Sequence, residues 1–323
     1  MSSPLISIII PTYNRLGYLR EALDSVARQT FQNFEVIVVD DGSTEDIAAG
    51  VANHPACPTV VRQQNEGPAA ARNHGIKKAA ADIVAFLDSD DLWHPTKLER
   101  FIRALESDPD TRIYYGPMRP ITDRGDTVAG RTKPCHAGWI TEKLFCSSFV
   151  HVPTVVCRKE LLVHEGGFDQ TLPVCEDYDL WLRLSVMEPF GLVEDPLAMR
   201  RLHGDRLSKC SMSRNLAVKA RVLRKFYELN ATSGRLNRDV CKARLARVCF
   251  VAARAFFRNG EYERAIDGCR ACRSYGGPAL RTIPLALAAK SLARLRGNGR
   301  DDPDQTAHDK HTRLDELTPK AHS

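Results

Sequence analysis

Three acidic clusters and one arginine hold the residues with which this sequence could do chemistry. Asp88-Ser89-Asp90-Asp91 is the densest of them. Carboxylates crowded this closely repel one another unless a cation or hydrogen-bond donors neutralise them. Hard oxygen ligands that leave coordination positions open suit Mg2+ or Mn2+. The plainer reading makes Asp91 the N-cap of a helix starting at Leu92-Trp93-His94-Pro95. Asp40-Asp41-Gly42-Ser43 could accept a hydrogen bond from a base N–H or a ribose hydroxyl, or it could only shape an Asx turn or a helix cap. Arg72, in Gly67-Pro68-Ala69-Ala70-Ala71-Arg72-Asn73, could reach a phosphate or be a surface charge. Glu176-Asp177 opens a helix whose apolar face carries Leu180, Trp181 and Leu184. Acids in a first turn suit the helix dipole, and one of this pair could instead be a general base.

The elements that must position these residues alternate. Short apolar runs predict strands at Leu5–Ile10, Phe34–Val39, Thr59–Arg62 and Asp82–Leu87. Helical spacing fills Leu16–Gln29, Thr44–Asn53 and Gly67–Ala80 between them. Strands alternating with helices imply an α/β fold with a mostly parallel sheet. Ligands of such sheets sit at the carboxyl ends of the strands. Here those ends carry Pro11-Thr12-Tyr13-Asn14-Arg15, the Asp40 cluster and the Asp88 cluster. Leu5–Ile10 has no basic segment before it and is read as a buried strand ending at Pro11, not as a signal peptide.

Past Pro95 the pattern predicts a helix at Thr96–Ser107, a strand at Arg112–Tyr115 and a loop-rich stretch over 117–140. A strand at Val152–Arg158, a helix at Lys159–Glu165, a turn at Gly166-Gly167-Phe168-Asp169 and the helix Glu176–Met187 follow. From Arg214 the pattern is helical only, and the last residues are expected to be disordered.

The 323 residues are 43% hydrophobic and 27% charged, which suits a soluble globular chain and excludes a collagenous, wholly disordered or polytopic membrane one. No apolar run has the length of a membrane span. Ten irregularly spaced cysteines in a long chain favour reduced thiols and a cytoplasmic location. Residues 1–213 carry 23 Lys and Arg against 29 Asp and Glu, whereas 214–300 carry 20 against 5. An acidic part joined to a basic part of net +15 suggests two modules. The basic one could face a membrane surface, a nucleic acid or an anionic substrate, or simply be a solvated arginine-rich face. No G-x-G-x-x-G follows the first strand, and no P-loop or G-x-S-x-G elbow occurs. Cys269-x-x-Cys272 lacks a partner pair and argues little for zinc.

Taken in order, these motifs resemble family 2 glycosyltransferases. Ile6-Ser7-Ile8-Ile9-Ile10-Pro11-Thr12-Tyr13-Asn14-Arg15, Gln29-Thr30-Phe31 through Glu35, and Val39-Asp40-Asp41-Gly42-Ser43-Thr44 look like the family's opening. Asn65-Glu66-Gly67-Pro68 through Asn73 and Phe86-Leu87-Asp88-Ser89-Asp90-Asp91 resemble its next blocks. Gly166-Gly167-Phe168-Asp169 and Glu176-Asp177-Tyr178-Asp179-Leu180-Trp181-Leu182-Arg183 resemble its later ones. The likeness covers roughly residues 4–208.

That resemblance implies a GT-A (Rossmann-like) sheet flanked by helices and an inverting, metal-dependent sugar transfer from a nucleotide-diphosphate sugar, a UDP-sugar first among candidates. By position, Pro11, Tyr13 and Asp41 would hold the nucleoside with Asp40 beside it, and Arg72 would lie near the diphosphate. Asp88 and Asp90 would be the ends of the D-x-D around Ser89, with Asp90 the more direct ligand of Mn2+ or Mg2+. Asp177 would be the catalytic base, and His203 resembles a histidine near the diphosphate, assigned here with the metal.

The chain lacks the Q-x-x-R-W block of processive synthases, so one or a few sugars are expected per acceptor, in cell-surface polysaccharide or glycoconjugate synthesis. The acceptor is expected to be a saccharide or a lipid-linked one, and no nucleic-acid partner is expected. The expected organisation is a transferase domain over 1–213, a basic helical appendage over 214–300 and a disordered tail over 301–323. The donor half would cover about 1–115 and the acceptor half about 116–213. Asn259-Gly260-Glu261-Tyr262 through Ile266 resembles part of one tetratricopeptide unit, and a lone unit makes no array. Leu285, Leu292 and Leu295 beside Lys290, Arg294 and Arg296 would make an interfacial helix with Pro284 at its start, placing the protein on the inner face of the membrane. The competing readings are a sugar-phosphate nucleotidyltransferase, which would need a glycine-rich basic loop after the first strand, and an inactive transferase-like scaffold.

Overall fold

The computed structural model describes residues 3–128, 133–203 and 212–297. The tail expected to be disordered, 301–323, lies outside the described residues. The chain divides into two compact units, 1–205 and 206–323.

The first unit opens with β1 (Ile6–Thr12), α1 (Leu16–Ala27), β2 (Phe34–Asp40), α2 (Ile47–Val51), β3 (Thr59–Arg62), α3 (Pro68–Lys78) and β4 (Ile83–Phe86). It continues with β5 (Leu92–Trp93), α4 (Lys97–Ser107), β6 (Ile113–Tyr115), β7 (Met118–Ile121) and α5 (Thr141–Cys146). It closes with β8 (Val156–Arg158), α6 (Lys159–His164), α7 (Glu176–Met187), β9 (Phe190–Leu192) and β10 (Ala198–Arg201).

The main sheet has seven strands in the order β3-β2-β1-β4-β8-β6-β9. All neighbours are parallel except β8, which runs against both β4 and β6. β1 is central because Ile6, Ile8, Ile9 and Ile10 are buried on both of its faces, the composition that a strand covered on two sides requires. Leu19, Leu23 and Val26 of α1 and Leu98, Phe101, Ile102 and Leu105 of α4 belong to the buried core with it. The strand order reverses between β1 and β4, so their carboxyl ends open a crevice at a topological switch point.

Four details depart from the sequence reading. β1 does not stop at Pro11: it runs through Thr12, with Pro11 opposite Val39 and the Thr12 carbonyl accepting from Asp41 N–H. Leu92-Trp93 is a strand and α4 begins only at Lys97, so Asp91 caps no helix there. Val152–Thr154 is a single 3-10 turn, and the strand after it begins at Val156. A three-stranded sheet, β5-β10-β7, forms as well, and its β7 lies in the stretch read as loop. Pro120 is tolerated in β7 because that strand lies at the sheet's edge.

The second unit is helical: α8 (Met212–Asn230), α9 (Arg238–Arg258), α10 (Tyr262–Ser274) and α11 (Ala279–Gly297). Asn237 caps α9, its Oδ1 accepting from Asp239 N–H at 3.0 Å and Val240 N–H at 3.2 Å. Gly260, at φ 76°, makes the turn into α10. A Cβ at Gly268 would lie 2.9 Å from Ala253 Cβ, which measures how closely α9 and α10 approach. Cys269 and Cys272 are buried on α10 and burial pushes both thiols above their ordinary value, the behaviour of apolar core residues. Pro284 does not start α11 but lies inside it, because Pro278 and Ala279 already open the helix.

Candidate active site

The first-strand turn is laced to the second. Asn14 takes the left-handed conformation at φ 51°. Its Oδ1 accepts from Thr44 N–H at 2.7 Å, while its own N–H donates to Ser43 Oγ at 2.9 Å. Pro11 is half-buried at the end of β1 and Tyr13 is exposed beyond it. Asp40 is buried, accepting from Ser43 N–H at 2.9 Å and pairing with Arg62 at 3.2 Å. Asp41 is the organiser of the adjoining loop. Its carboxylate accepts from Gln63 Nε2 at 2.9 Å, Glu66 N–H at 3.0 Å and Gly67 N–H at 2.9 Å. A carboxylate offers about four acceptor positions, so one remains for a ligand N–H. Gly67, at φ 88°, is the glycine this turn needs before α3.

α3 carries Arg72 into the interior. Its guanidinium donates from Nη2 to Asp88 Oδ1 at 2.8 Å and from Nη1 to Glu176 Oε1 at 2.8 Å, and lies 5.4 Å from the centre of the Phe168 ring. Arg72 is therefore no surface charge; it is buried and its two carboxylate partners keep it ionised. Beside it, Asn73 clasps the Phe168 backbone, donating to the carbonyl at 2.8 Å and accepting from the N–H at 2.9 Å. Gly167 must be glycine for this clasp, since its φ is +72° and a Cβ would meet Asn73 Oδ1 at 2.4 Å.

Burial, more than any charge, raises the Asp88 carboxyl above its ordinary value, with Arg72 pulling it back and Asp90 adding to the rise. Asp91 is buried and raised well above the carboxylate range, first by burial and then by Asp88 and Asp90. It accepts from Arg201 N–H at 3.0 Å, which is what anchors β10 beneath the cluster. Ser89 is buried between these carboxylates. Asp90 turns the other way: its Oδ2 lies 2.6 Å from Arg15 Nη1 and 2.8 Å from His203 Nε2.

Asp177 stands at the start of α7, after Cys175 in the left-handed conformation at φ 64°. Its Oδ1 accepts from Tyr178 N–H at 2.7 Å. Burial first, and then the neighbouring Glu176 charge, push its carboxyl up to about 7, against the pull of Arg72. A carboxyl poised near neutrality suits a general base.

Two assemblies thus form at the crevice. Asp88, Arg72, Glu176 and Asp177 make one, and Asp90, His203 and Arg15 make the other. Sequence reasoning did not assign Arg15 or Arg201. Arg201 is fully buried, donates to the Asp90 carbonyl at 3.2 Å and to the Asp123 carbonyl, pairs with Glu21, and lies 5.2 Å over the Tyr18 ring. Tyr18 in turn packs against the His203 ring at 5.1 Å. Arg15 stands inside a quoted motif, so its position was visible and only its partners were not.

By chemistry the donor types at the crevice suit a divalent cation, with Asp88 in one assembly and Asp90 and His203 in the other, and with acid crowding that a cation would relieve. Among the described residues no three His, Cys, Asp or Glu side chains are gathered so that they could hold a metal ion.

Comparison with known proteins follows the same lines. The Glycosyl transferase family 2 model matches residues 7–151. An uncharacterized glycosyltransferase of Rickettsia bellii is 34% identical over 202 residues, covering 62% of this chain, and the chain spans only 29% of that relative's length. The amylovoran biosynthesis glycosyltransferase AmsB of Erwinia amylovora is 34% identical over 59% of this chain and 68% of its own. Among solved structures, S. aureus TarS 1-349 matches with a TM-score of 0.64 at 19% identity, covering 92% of this chain and 93% of that one. The same protein is solved in complex with UDP-GlcNAc. The mannosyltransferase PcManGT of Pyrobaculum calidifontis, in complex with GDP-Man and Mn2+, matches with a TM-score of 0.55 at 19% identity over 91% of this chain and 81% of that one.

Proposed function

The chain belongs to glycosyl transferase family 2, and on that footing we propose that it moves a sugar from a nucleoside-diphosphate sugar to an acceptor hydroxyl with inversion at the anomeric carbon. Its α/β unit has the GT-A arrangement. The Arg72 bridge carries the reading. It ties Asp88, at the end of β4, to Glu176, at the start of α7, and so sets Asp177 beside the carboxylate cluster.

The roles follow from charge. Pro11, Tyr13 and Asp41 border the nucleoside, Asp41 offering its remaining lone pair to a base N–H, with Asp40 holding the turn. Asp90, His203 and Asp88 would hold Mn2+ or Mg2+, and Arg72 faces the diphosphate. A bound cation supplies Lewis-acid charge to the departing diphosphate. The acceptor oxygen forms its bond to the anomeric carbon as the bond from that carbon to the diphosphate oxygen breaks. Asp177 takes the acceptor proton. The electron pair of the broken bond leaves with the nucleoside diphosphate. One displacement needs one base, and no sugar–enzyme bond is formed.

The donor is proposed to be a UDP-sugar, as in the TarS complex, and the acceptor a saccharide, free or lipid-linked, extended by one or a few residues. The test is incubation with a panel of nucleotide-sugars, Mn2+ and saccharide acceptors, reading nucleoside diphosphate release and the anomeric configuration of the product. Nucleoside diphosphate with an inverted linkage is expected. Retained configuration, or release from no donor, would overturn the reading.

A further inference from the structure

Helix α11 is apolar on two faces. Thr282 and Ala289 on one of them are buried. On the other, Leu280, Leu287 and Leu295 are 91%, 59% and 72% exposed, with Ile283 beside them. At about 100° per residue these four fall within roughly a third of the circumference. A helix at a protein surface ordinarily presents polar side chains outward, and this one presents leucines. Arg294 projects within the stripe, between Ile283 and Leu287, while Lys290 stands at one margin and Arg281 beyond the other, all exposed. The helix contains no Asp or Glu.

Exposed leucines and the cations among and beside them together select the occupant. A second copy of the same helix would set like charges against each other. An anionic bilayer satisfies both features: leucines enter the acyl boundary while cations lie among the headgroups, their long stems lending further apolar area. The net +15 of residues 214–300 draws the same unit toward the same surface. We propose that α11 docks in the plane of an anionic lipid bilayer through Leu280, Ile283, Leu287 and Leu295. No helix of the described residues is long and apolar enough to cross a membrane, so the attachment is peripheral. It is independent of the sugar chemistry.

The test sediments the full-length protein with vesicles of phosphatidylcholine alone and with vesicles rich in phosphatidylglycerol, at low and high salt. Binding is expected on the anionic vesicles only, and high salt should reverse it. Lys290→Gln/Arg294→Gln should lower partitioning about 25-fold, since each cation near an anionic surface is worth about fivefold. Leu280→Ser/Leu287→Ser should lower it about tenfold or more, with thermal melting and donor turnover unchanged. A Leu287→Trp variant should shift its emission to the blue when anionic vesicles are added. Protein left in the supernatant at low salt would overturn the proposal, as would binding that ignores both double variants or an unshifted Trp emission. Self-association lost in Leu280→Ser/Leu287→Ser would make a second copy the occupant, and vesicle binding that appears only after residues 298–323 are removed would make that segment the occupant; either result overturns it.

Discussion

His203 Nε2 lies 2.8 Å from Oδ2 of Asp90, a residue 113 positions earlier in the chain. The pair joins the segment after β10 to the segment after β4, an imidazole nitrogen against a carboxylate oxygen. Arg15 approaches that oxygen too, at 2.6 Å, so a cation arriving there competes with a guanidinium.

Metal binding should therefore be measurable and should depend on both residues. Sugar transfer is expected to stop in EDTA and return with Mn2+ or Mg2+. His203→Ala should weaken Mn2+ binding roughly 10–100-fold, read by calorimetry. Arg15→Ala should strengthen it by removing the competitor. Full turnover in chelator would remove the metal from the mechanism.

Asp177→Asn should reduce kcat by about 10²–10⁴-fold and leave donor affinity nearly unchanged. The wild-type kcat should rise through pH 7 and level off above it, because the base acts only when deprotonated and its carboxyl is pushed up to about 7. An acid limb centred near the ordinary carboxylate value, or a collapse of donor affinity with kcat intact, would make Asp177 a binding residue.

Asp41→Ala leaves Gln63 Nε2 and the Glu66 and Gly67 amides without their acceptor. Nucleoside diphosphate binding should weaken by roughly 1–3 kcal/mol. Calorimetry on the variant decides between two roles. Lost affinity marks a nucleoside contact, and unchanged affinity with a lowered Tm marks a turn former only.

Lys97 is fully buried, its ammonium 4.2 Å from the Trp93 ring and 4.3 Å from the Phe101 ring, with no hydrogen bond among the described residues. Burial lowers it to about 7. Between that value and its unfolded pKa near 10.5, the unfolded chain holds a proton that the folded one does not. Stability should accordingly rise with pH across that window, with a slope approaching about 1.4 kcal/mol per pH unit from this group. Lys97→Met should flatten the dependence. An unfolding free energy that is equally steep in the variant would rule Lys97 out as its source.

Much of this was legible in sequence because it was local. Leu5–Ile10, Phe34–Val39 and Asp82–Leu87 announce buried strands by composition, and the acidic clusters stand where the last two of them end. Helix Glu176–Met187 was readable to its last residue. What escaped is what tertiary closeness creates. Arg72 looked as much like a surface charge as a ligand contact, because its partner Glu176 is 104 positions away. Arg201 reaches Asp90 across 111 positions, and nothing in Arg200-Arg201 singles one guanidinium out as buried. β7 and β10 were missed because Met118-Arg119-Pro120-Ile121 and Ala198-Met199-Arg200-Arg201 have no clear alternation, and their neighbours, not their composition, make them strands. At Asp91, the capping propensity was real but the backbone beyond it paired with β10 instead.

The Asn73–Phe168 clasp also bears on the order in which the molecule can be made. Its partners are 95 positions apart, so α3 leaves the ribosome long before the backbone it must hold. Until Phe168 emerges, Asn73 and the Arg72 guanidinium lack the partners supplied by residues 168–176. β1 to β4 can pair in a nascent chain, since every contact among them lies within the first 86 residues. The donor-side crevice closes only when Gly167-Phe168 and then Glu176 arrive. A chain arrested between β4 and Gly167 would therefore carry its central sheet with an unset Arg72, and protease protection of nascent chains of increasing length should rise in two steps, the second after residue 176.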